Sequence, residues 1–204
     1  MEEYNQIIQL IALSMGVAWA SGINLYAAIL TLGIAGATGN IELPPGLQVL
    51  SDPMVIGAAG LMYGVEFFAD KIPGVDTGWD MIHTFVRVPA GVLLAAGSVG
   101  DLSSAAGITA GILGGGMALT THSAKAGTRA LINTSPEPFS NWTASILEDI
   151  AVFSGLWMAL NQPLLFIILL IVFILLMVWL LPKLWRGIKT VFTALKRFFT
   201  KFYA

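Results

Sequence analysis

Cysteine is absent from the 204 residues, which excludes disulfides, thiolate metal centres and cysteine nucleophiles but says little about compartment. Charge is scarce: 11% of the residues are Asp, Glu, Lys or Arg, against ~25% in ordinary soluble domains. Histidine occurs only at His83 and His122. There is no His-Glu-x-x-His pattern and no nucleophile elbow, and Gly114-Gly115-Gly116 lacks the Lys-Ser/Thr that a Walker loop needs. These absences leave an enzyme without support and set the expectation of no cofactor. No basic region follows the opening Met1-Glu2-Glu3, so a cleavable signal is not expected.

What is present is apolar. Hydrophobic residues make up 56% of the chain and the mean hydropathy is +0.81, values of an integral membrane protein. Leu164 to Leu181 is uncharged and bounded by Pro163 and Pro182, nearly enough to cross a ~30 Å hydrocarbon core. Ile7 to Ala37 is apolar for about 31 residues, longer than one crossing needs. Small and polar residues interrupt it at Gly16, Ser21-Gly22 and Asn24. The expectation is two segments with a break near Ser21-Gly22, one long tilted helix being the other reading. Asp52 is placed to N-cap a segment opened by Pro53, whose Gly57, Gly60 and Gly64 form a smooth face for helix contact. Val88 to Gly100 is apolar and Asp101 marks a turn. Ser103 to Thr121 is glycine-rich, which in lipid reads as tight packing or a weak helix. Trp142 to Leu160 is a further segment.

The fold expected is all-α and polytopic, with six or seven transmembrane segments in one domain, residues 1–182. The tail, 183–204, interleaves Lys and Arg with Trp185, Phe192, Leu195, Phe198, Phe199 and Phe202, a basic amphipathic helix suited to an anionic leaflet. Membrane lipids are therefore expected partners, and nucleic acid is not.

All ten basic residues fall in three places: Lys71 with Arg87, Lys125 with Arg129, and the tail. Alternate connections thus hold the positive charge, which assigns the tail to the cytoplasmic side of an inner membrane. Seven segments put the N-terminus outside, six inside. Ala20-Ser21-Gly22-Ile23 and Asp52-Pro53 return, 85 positions on, as Ala105-Ala106-Gly107-Ile108 and Glu137-Pro138. That correspondence gives two three-segment halves, about 5–73 and 88–160, with an extra span at 164–181. An odd number of segments inverts one half relative to the other, a transporter arrangement with its site between the halves.

The candidate site lies in the densest ionisable stretch, Glu66 to Arg87. Glu66 and Asp70 are i,i+4, and Asp76, Asp80, His83 and Arg87 share one helical face. His122, Lys125 and Arg129 repeat the pattern at i, i+3, i+7, and Glu148 and Asp149 lie inside an apolar run. Ionisable groups at membrane depth are costly and turn toward an interior or a cavity. Lys71 and Lys125 read as orientation signals that snorkel to headgroups. Glu66, Asp70, Asp80 and Glu148 are candidates for binding protons or a cation. Arg87, His122 and Arg129 are candidates for an anionic group, and either histidine, His83 or His122, could relay protons beside carboxylates. Asp76, Asp80 and His83 also have spacing at which a helix could hold a divalent metal.

Glu66-Phe-Phe-Ala-Asp70-Lys71-Ile-Pro73 with Asp76, Trp79-Asp80, His83-Thr84 and Arg87 resembles a bacterial integral-membrane family known only as domain of unknown function 4126. Lys125-Ala-Gly-Thr-Arg129, Ser135-Pro136-Glu137-Pro138 and Glu148-Asp149 extend the resemblance over about Ser14 to Leu160. It implies membership and no chemistry. A fainter likeness to Glu-x-Gly-Asp-Lys cation exchangers is one residue out of register. The leading expectation is a homo-oligomeric transporter or translocase for an anionic lipid or small solute. The alternatives are a scaffold whose charges are structural ion pairs, and a membrane enzyme holding a metal on Asp76, Asp80 and His83.

Overall fold

The computed structural model describes residues 2–100, 102–134 and 139–202, with side chains for all of these except residues 2 and 194–202. Asp101, the loop Ser135-Pro136-Glu137-Pro138 and the side chains of the last aromatic and basic tail residues thus lie outside the described residues. The described residues form helices and no strand: α1 (Glu2–Ala37), a 3-10 helix (Pro45–Ser51), α2 (Pro53–Ala69), α3 (Val75–Val99), α4 (Ser104–Ile132), α5 (Phe139–Asn161) and α6 (Pro163–Phe202). Among the described residues, four helices are long and apolar enough to cross a membrane (residues 3–37, 75–99, 139–161 and 163–193), and they mark the chain as a membrane protein.

Helix α1 is interrupted at Asn24, whose φ of −145° and ψ of 97° are non-helical. The break lies two residues beyond the expected Ser21-Gly22. Asn24 carries the interruption because its side chain can cap the next helical stretch: its Oδ1 accepts from the Ala27 amide at 3.0 Å, an N-cap bond that starts a second helix. The chain reverses there. Gln6, Gln9 and Leu13 line one groove together with Ile41, Glu42 and Pro44, although a straight helix would hold Gln9 and Ile41 roughly 48 Å apart. The first arm (to residue 23) meets α3 at Ala95, α4 at Thr121, α5 at Gly155 and α6 at Phe166, and the second (25–37) meets α2 at Ile56, the 3-10 helix at Leu50 and α3 at His83.

Glycine sets how closely these elements meet. A side chain at Gly114 would strike Ala95 and the Gly91 carbonyl, and one at Gly22 would strike Thr121 and the Ala118 carbonyl. Helix α4 is one continuous helix from Ser104 to Ile132, so its glycines serve close packing and do not break it. On α2, a side chain added at Gly60 would come 3.7 Å from Leu30, and at Gly57 and Gly64 it would enter open space, so within the described chain this glycine face is not closely packed against another helix. Asp52 does cap α2, accepting from the Met54 amide at 2.7 Å. The turn before α3 depends on Gly74, whose φ of +85° side-chain-bearing residues rarely adopt.

Helix α6 runs through Pro182 to Phe202, where a span ending at Leu181 was expected. Proline is tolerated inside membrane helices because neighbours take up the carbonyl it leaves. Beyond it, Leu184 packs on Gly127 and Gly187 on Leu131, which ties the basic end of α6 to the last turns of α4.

Candidate functional site

Each helix around the α1 reversal turns its ionisable residues inward and apolar ones outward. On α3, Asp76, Asp80, His83 and Arg87 are buried, while Met81, Ile82 and Phe85 at the same levels are exposed. On α4, His122, Lys125 and Arg129 are buried. Phe68 on α2 and Leu147 and Ile150 on α5 complete an apolar exterior around the charges. A charged face wrapped in exposed apolar side chains is what a lipid-immersed site requires.

The innermost group is Arg87, 0% exposed. Its Nη2 meets Glu66 Oε1 at 2.6 Å and its Nη1 meets Asp80 Oδ1 at 2.8 Å. The same Nη1 lies 3.1 Å from His122 Nδ1. A guanidinium can only donate, so Nδ1 accepts and the imidazole is the neutral Nε2–H tautomer. Its Nε2 then donates to Thr84 Oγ1 at 2.6 Å, and that hydroxyl donates to the Asp80 carbonyl at 3.0 Å.

One turn nearer the end of α4, Lys125 Nζ reaches Asp70 Oδ2 at 2.8 Å, Glu66 Oε1 at 3.3 Å and Glu148 Oε2 at 3.4 Å. It also donates to the Ile23 carbonyl at 3.1 Å. That carbonyl precedes Asn24 and is one of those the broken helix leaves without an intrahelical partner. A further turn on, Arg129 grips Glu148 with two bonds, Nη2 to Oε2 at 2.7 Å and Nε to Oε1 at 3.2 Å. Its Nη1 ties the Asp70 and Asn141 carbonyls, both at 3.0 Å. Glu66, Asp70, Asp80, Arg87, His122, Lys125, Arg129 and Glu148 therefore form one connected network.

The other two candidates stand beside it. His83 stacks on Trp79 with ring centroids 4.2 Å apart, donates from Nδ1 to the Trp79 carbonyl at 2.9 Å, and accepts from the Tyr26 hydroxyl at 3.1 Å. Among the described residues it meets no carboxylate. Asp149 accepts from Asn24 Nδ2 at 3.0 Å, which holds the α1 reversal against α5.

Two expectations need correction. Lys125 does not snorkel: it is 5% exposed because acids on three helices surround it. Nor do Asp76, Asp80 and His83 gather a metal. Asp76 accepts from the Gly74 and Thr77 amides and from Asn133 Nδ2, Asp80 turns to Arg87, and His83 to Tyr26. Among the described residues, no three Asp, Glu or His side chains are grouped to hold a metal ion. Lys71 is half-buried, its ammonium 3.0 Å above the Phe67 ring and bonded to the Phe67 carbonyl at 3.1 Å and to Ser145 Oγ at 3.3 Å, and burial lowers its pKa below the ordinary lysine value.

Sequence reasoning gave no site role to Asn24, which it named only as an interruption of the apolar run, nor to Thr84, Asn133 and Asn141. Asn24 had a signal, a lone amide in a long apolar run; Asn133 and Asn141 look like ordinary polar helix ends, and Thr84 like an ordinary threonine inside α3. Within the network, the acceptors Glu66 Oε2, Asp70 Oδ1 and Asp80 Oδ2 and the donor Arg87 Nε are buried without a partner among the described residues. Four carboxylates thus face three bases, with acceptor capacity left over.

A family model described as "Domain of unknown function (DUF4126)" matches residues 11–183, and the chain belongs to that family. No curated protein and no solved structure matches.

Proposed function

We propose that this member of the family is a small transporter whose coupling site is the ion network at the α1 reversal. One observation carries the reading: acids and bases from α2, α3, α4 and α5 converge on the backbone break at Asn24, and three of the acids keep an unpartnered buried oxygen. Glu66, Asp70, Asp80 and Glu148 against Arg87, Lys125 and Arg129 leave one negative charge when all are ionised. A surplus buried charge is costly, so a cluster serving only as a clamp gains by being neutral. One proton or one monovalent cation neutralises this one. Discontinuous helices whose broken ends meet an ionisable cluster are a recurrent way for secondary transporters to build such sites.

Counting the two arms of α1 gives seven segments, in two inverted halves of three with α6 outside them. Termini then lie on opposite sides, and Lys71 with the basic tail assigns the C-terminus to the cytoplasmic side of an inner membrane. The basic tail engages anionic lipid, and the cargo is an anionic solute or lipid headgroup that Arg87 and Arg129 can receive once released from their acids. The chain works as a homo-oligomer.

Proteoliposomes with an entrapped pH dye test this without a known cargo. An imposed Na+ or K+ gradient should move protons with the wild-type protein and not with Glu66→Gln or Glu148→Gln, while both variants still insert. Equal proton movement in all three removes the reading. A second reading, a membrane scaffold, is favoured by the bidentate Arg129–Glu148 pair and by the multiple acids on each base. In that case the same substitutions lower the melting temperature in detergent and there is no flux to lose.

A further inference from the structure

Beside the network stand an acid without a base and a base without an acid, one helical turn apart. Asp149 is 9% exposed; its Oδ1 accepts from the neutral Asn24 amide at 3.0 Å, and its Oδ2 is buried without a partner among the described residues. No base among the described residues pairs with it, whereas Glu66, Asp70, Asp80 and Glu148 each meet at least one. Asp76 also lacks a base, but backbone amides and Asn133 hold its oxygens at the start of α3. Lys71 is the converse case. Its ammonium rests on the Phe67 ring, the Phe67 carbonyl and Ser145 Oγ, and it pairs with no carboxylate among the described residues. Ser145 and Asp149 are both on the buried face of α5 at i,i+4, which sets their Cβ atoms about 5–6 Å apart. The flexible lysine stem spans such a step. The titratable groups facing Asp149 are Tyr63 and Asp70 at α2, Lys71 in the turn after it and Lys125 on α4, with Glu148 preceding it on α5. Lys125 is already held by Asp70, Glu66 and Glu148, which leaves Lys71 as the facing base that no acid holds.

We propose that Asp149 is a proton-binding site separate from the ion network, and that Lys71 is its exchangeable counter-charge. With the proton on Oδ2 the carboxyl is neutral and needs no base, and Lys71 rests on Ser145 and the Phe67 ring as it does in this structure. When that proton passes to water, the O–H bond is the one covalent bond broken, and a carboxylate is left buried and uncompensated at high cost. The Lys71 ammonium then moves one turn along α5, from Ser145 to Asp149, and restores neutrality. Asn24 Nδ2 donates to the same carboxyl while Asn24 Oδ1 caps the second arm of α1, so the charge at position 149 acts directly on the helix break. This goes beyond the coupling-site reading and does not depend on it, because it is a claim of proton binding by residues outside the network.

Infrared difference spectra of the purified protein in lipid, taken as the pH is raised from mildly acidic to mildly alkaline, read the proton directly. The wild type should lose a carbonyl band of a protonated carboxyl, and Asp149→Asn should lack that band. Lys71→Met keeps the length of the side chain and removes the counter-charge, so its band should persist to a pH about 1–3 units higher. A difference spectrum that Asp149→Asn leaves unchanged overturns the proton site. A band lost at the same pH in Lys71→Met and wild type overturns the part given to Lys71. If Asp149→Asn does not fold, Asp149→Glu keeps the carboxyl and should displace the band; an undisplaced band then overturns the site. The two ideas fail separately. Proton movement in proteoliposomes without a band from Asp149 removes this site and leaves the coupling network, and the band without proton movement removes transport and leaves the site.

Discussion

The two halves of α4 are held in opposite ways. From Ser104 to Ala118 the helix lies against α3 and the first arm of α1 through glycine and alanine, with Gly114 set against Ala95 and Gly91. From Thr121 to Ile132 it is held by His122, Lys125 and Arg129, which reach acids on α2, α3 and α5. Backbone-to-backbone contact is short-ranged and tolerates neither added volume nor sliding. An ion network can exchange partners at nearly constant charge. One end of the bundle is therefore fixed by close packing, and the other is the end that the proposed transport cycle would use as its switch.

The largest expected effect comes from removing a base at the switch end. Arg87→Met leaves Glu66 and Asp80 buried without their guanidinium, and thermal unfolding in detergent should register a loss of about 3–5 kcal/mol. Next is the close-packed end, where Gly114→Leu drives a side chain into Ala95 and the Gly91 carbonyl. Overpacking of this kind costs about 1–3 kcal/mol, read by the same melt, and it should not depend on pH or salt. Neutralising an acid should cost much less than neutralising a base, because acids are in surplus. Glu66→Gln is expected to change stability by less than about 1 kcal/mol, since Gln retains an acceptor for Arg87. A Glu66→Gln loss as large as that of Arg87→Met would mean the charge count is wrong. The smallest effect belongs to Lys71→Ala, at most about 1 kcal/mol from the contact with the Phe67 ring.

Much of this was legible in the sequence because membrane burial makes charge conspicuous. The i, i+4, i+7, i+11 spacing of Asp76, Asp80, His83 and Arg87 put them on one face, and that face is the buried one. The α1 interruption was readable to within a few residues. Partner choice was not. Periodicity assigns a residue to a face but not to a neighbour, so His83 and His122 looked equivalent. Only tertiary packing sends His122 to Arg87 and leaves His83 among Trp79 and Tyr26. Lys125 misled for a related reason: lysine near a helix end usually snorkels, and nothing local announces that acids on three other segments will enclose it. Pro182 misled because the lipid-side helix rules differ from those in water.

Asn24, 1% exposed at the α1 break, offers the most direct test of whether the switch end opens, since the chain has no native cysteine to interfere. Asn24→Cys in sealed vesicles should react with a membrane-impermeant maleimide, more slowly than a surface control at Thr38→Cys, and at a rate that changes when Na+ or K+ replaces choline. A thiol at position 24 that stays unreacted under every ionic condition, while the Thr38→Cys control labels to completion, would contradict an opening network and leave a permanent clamp.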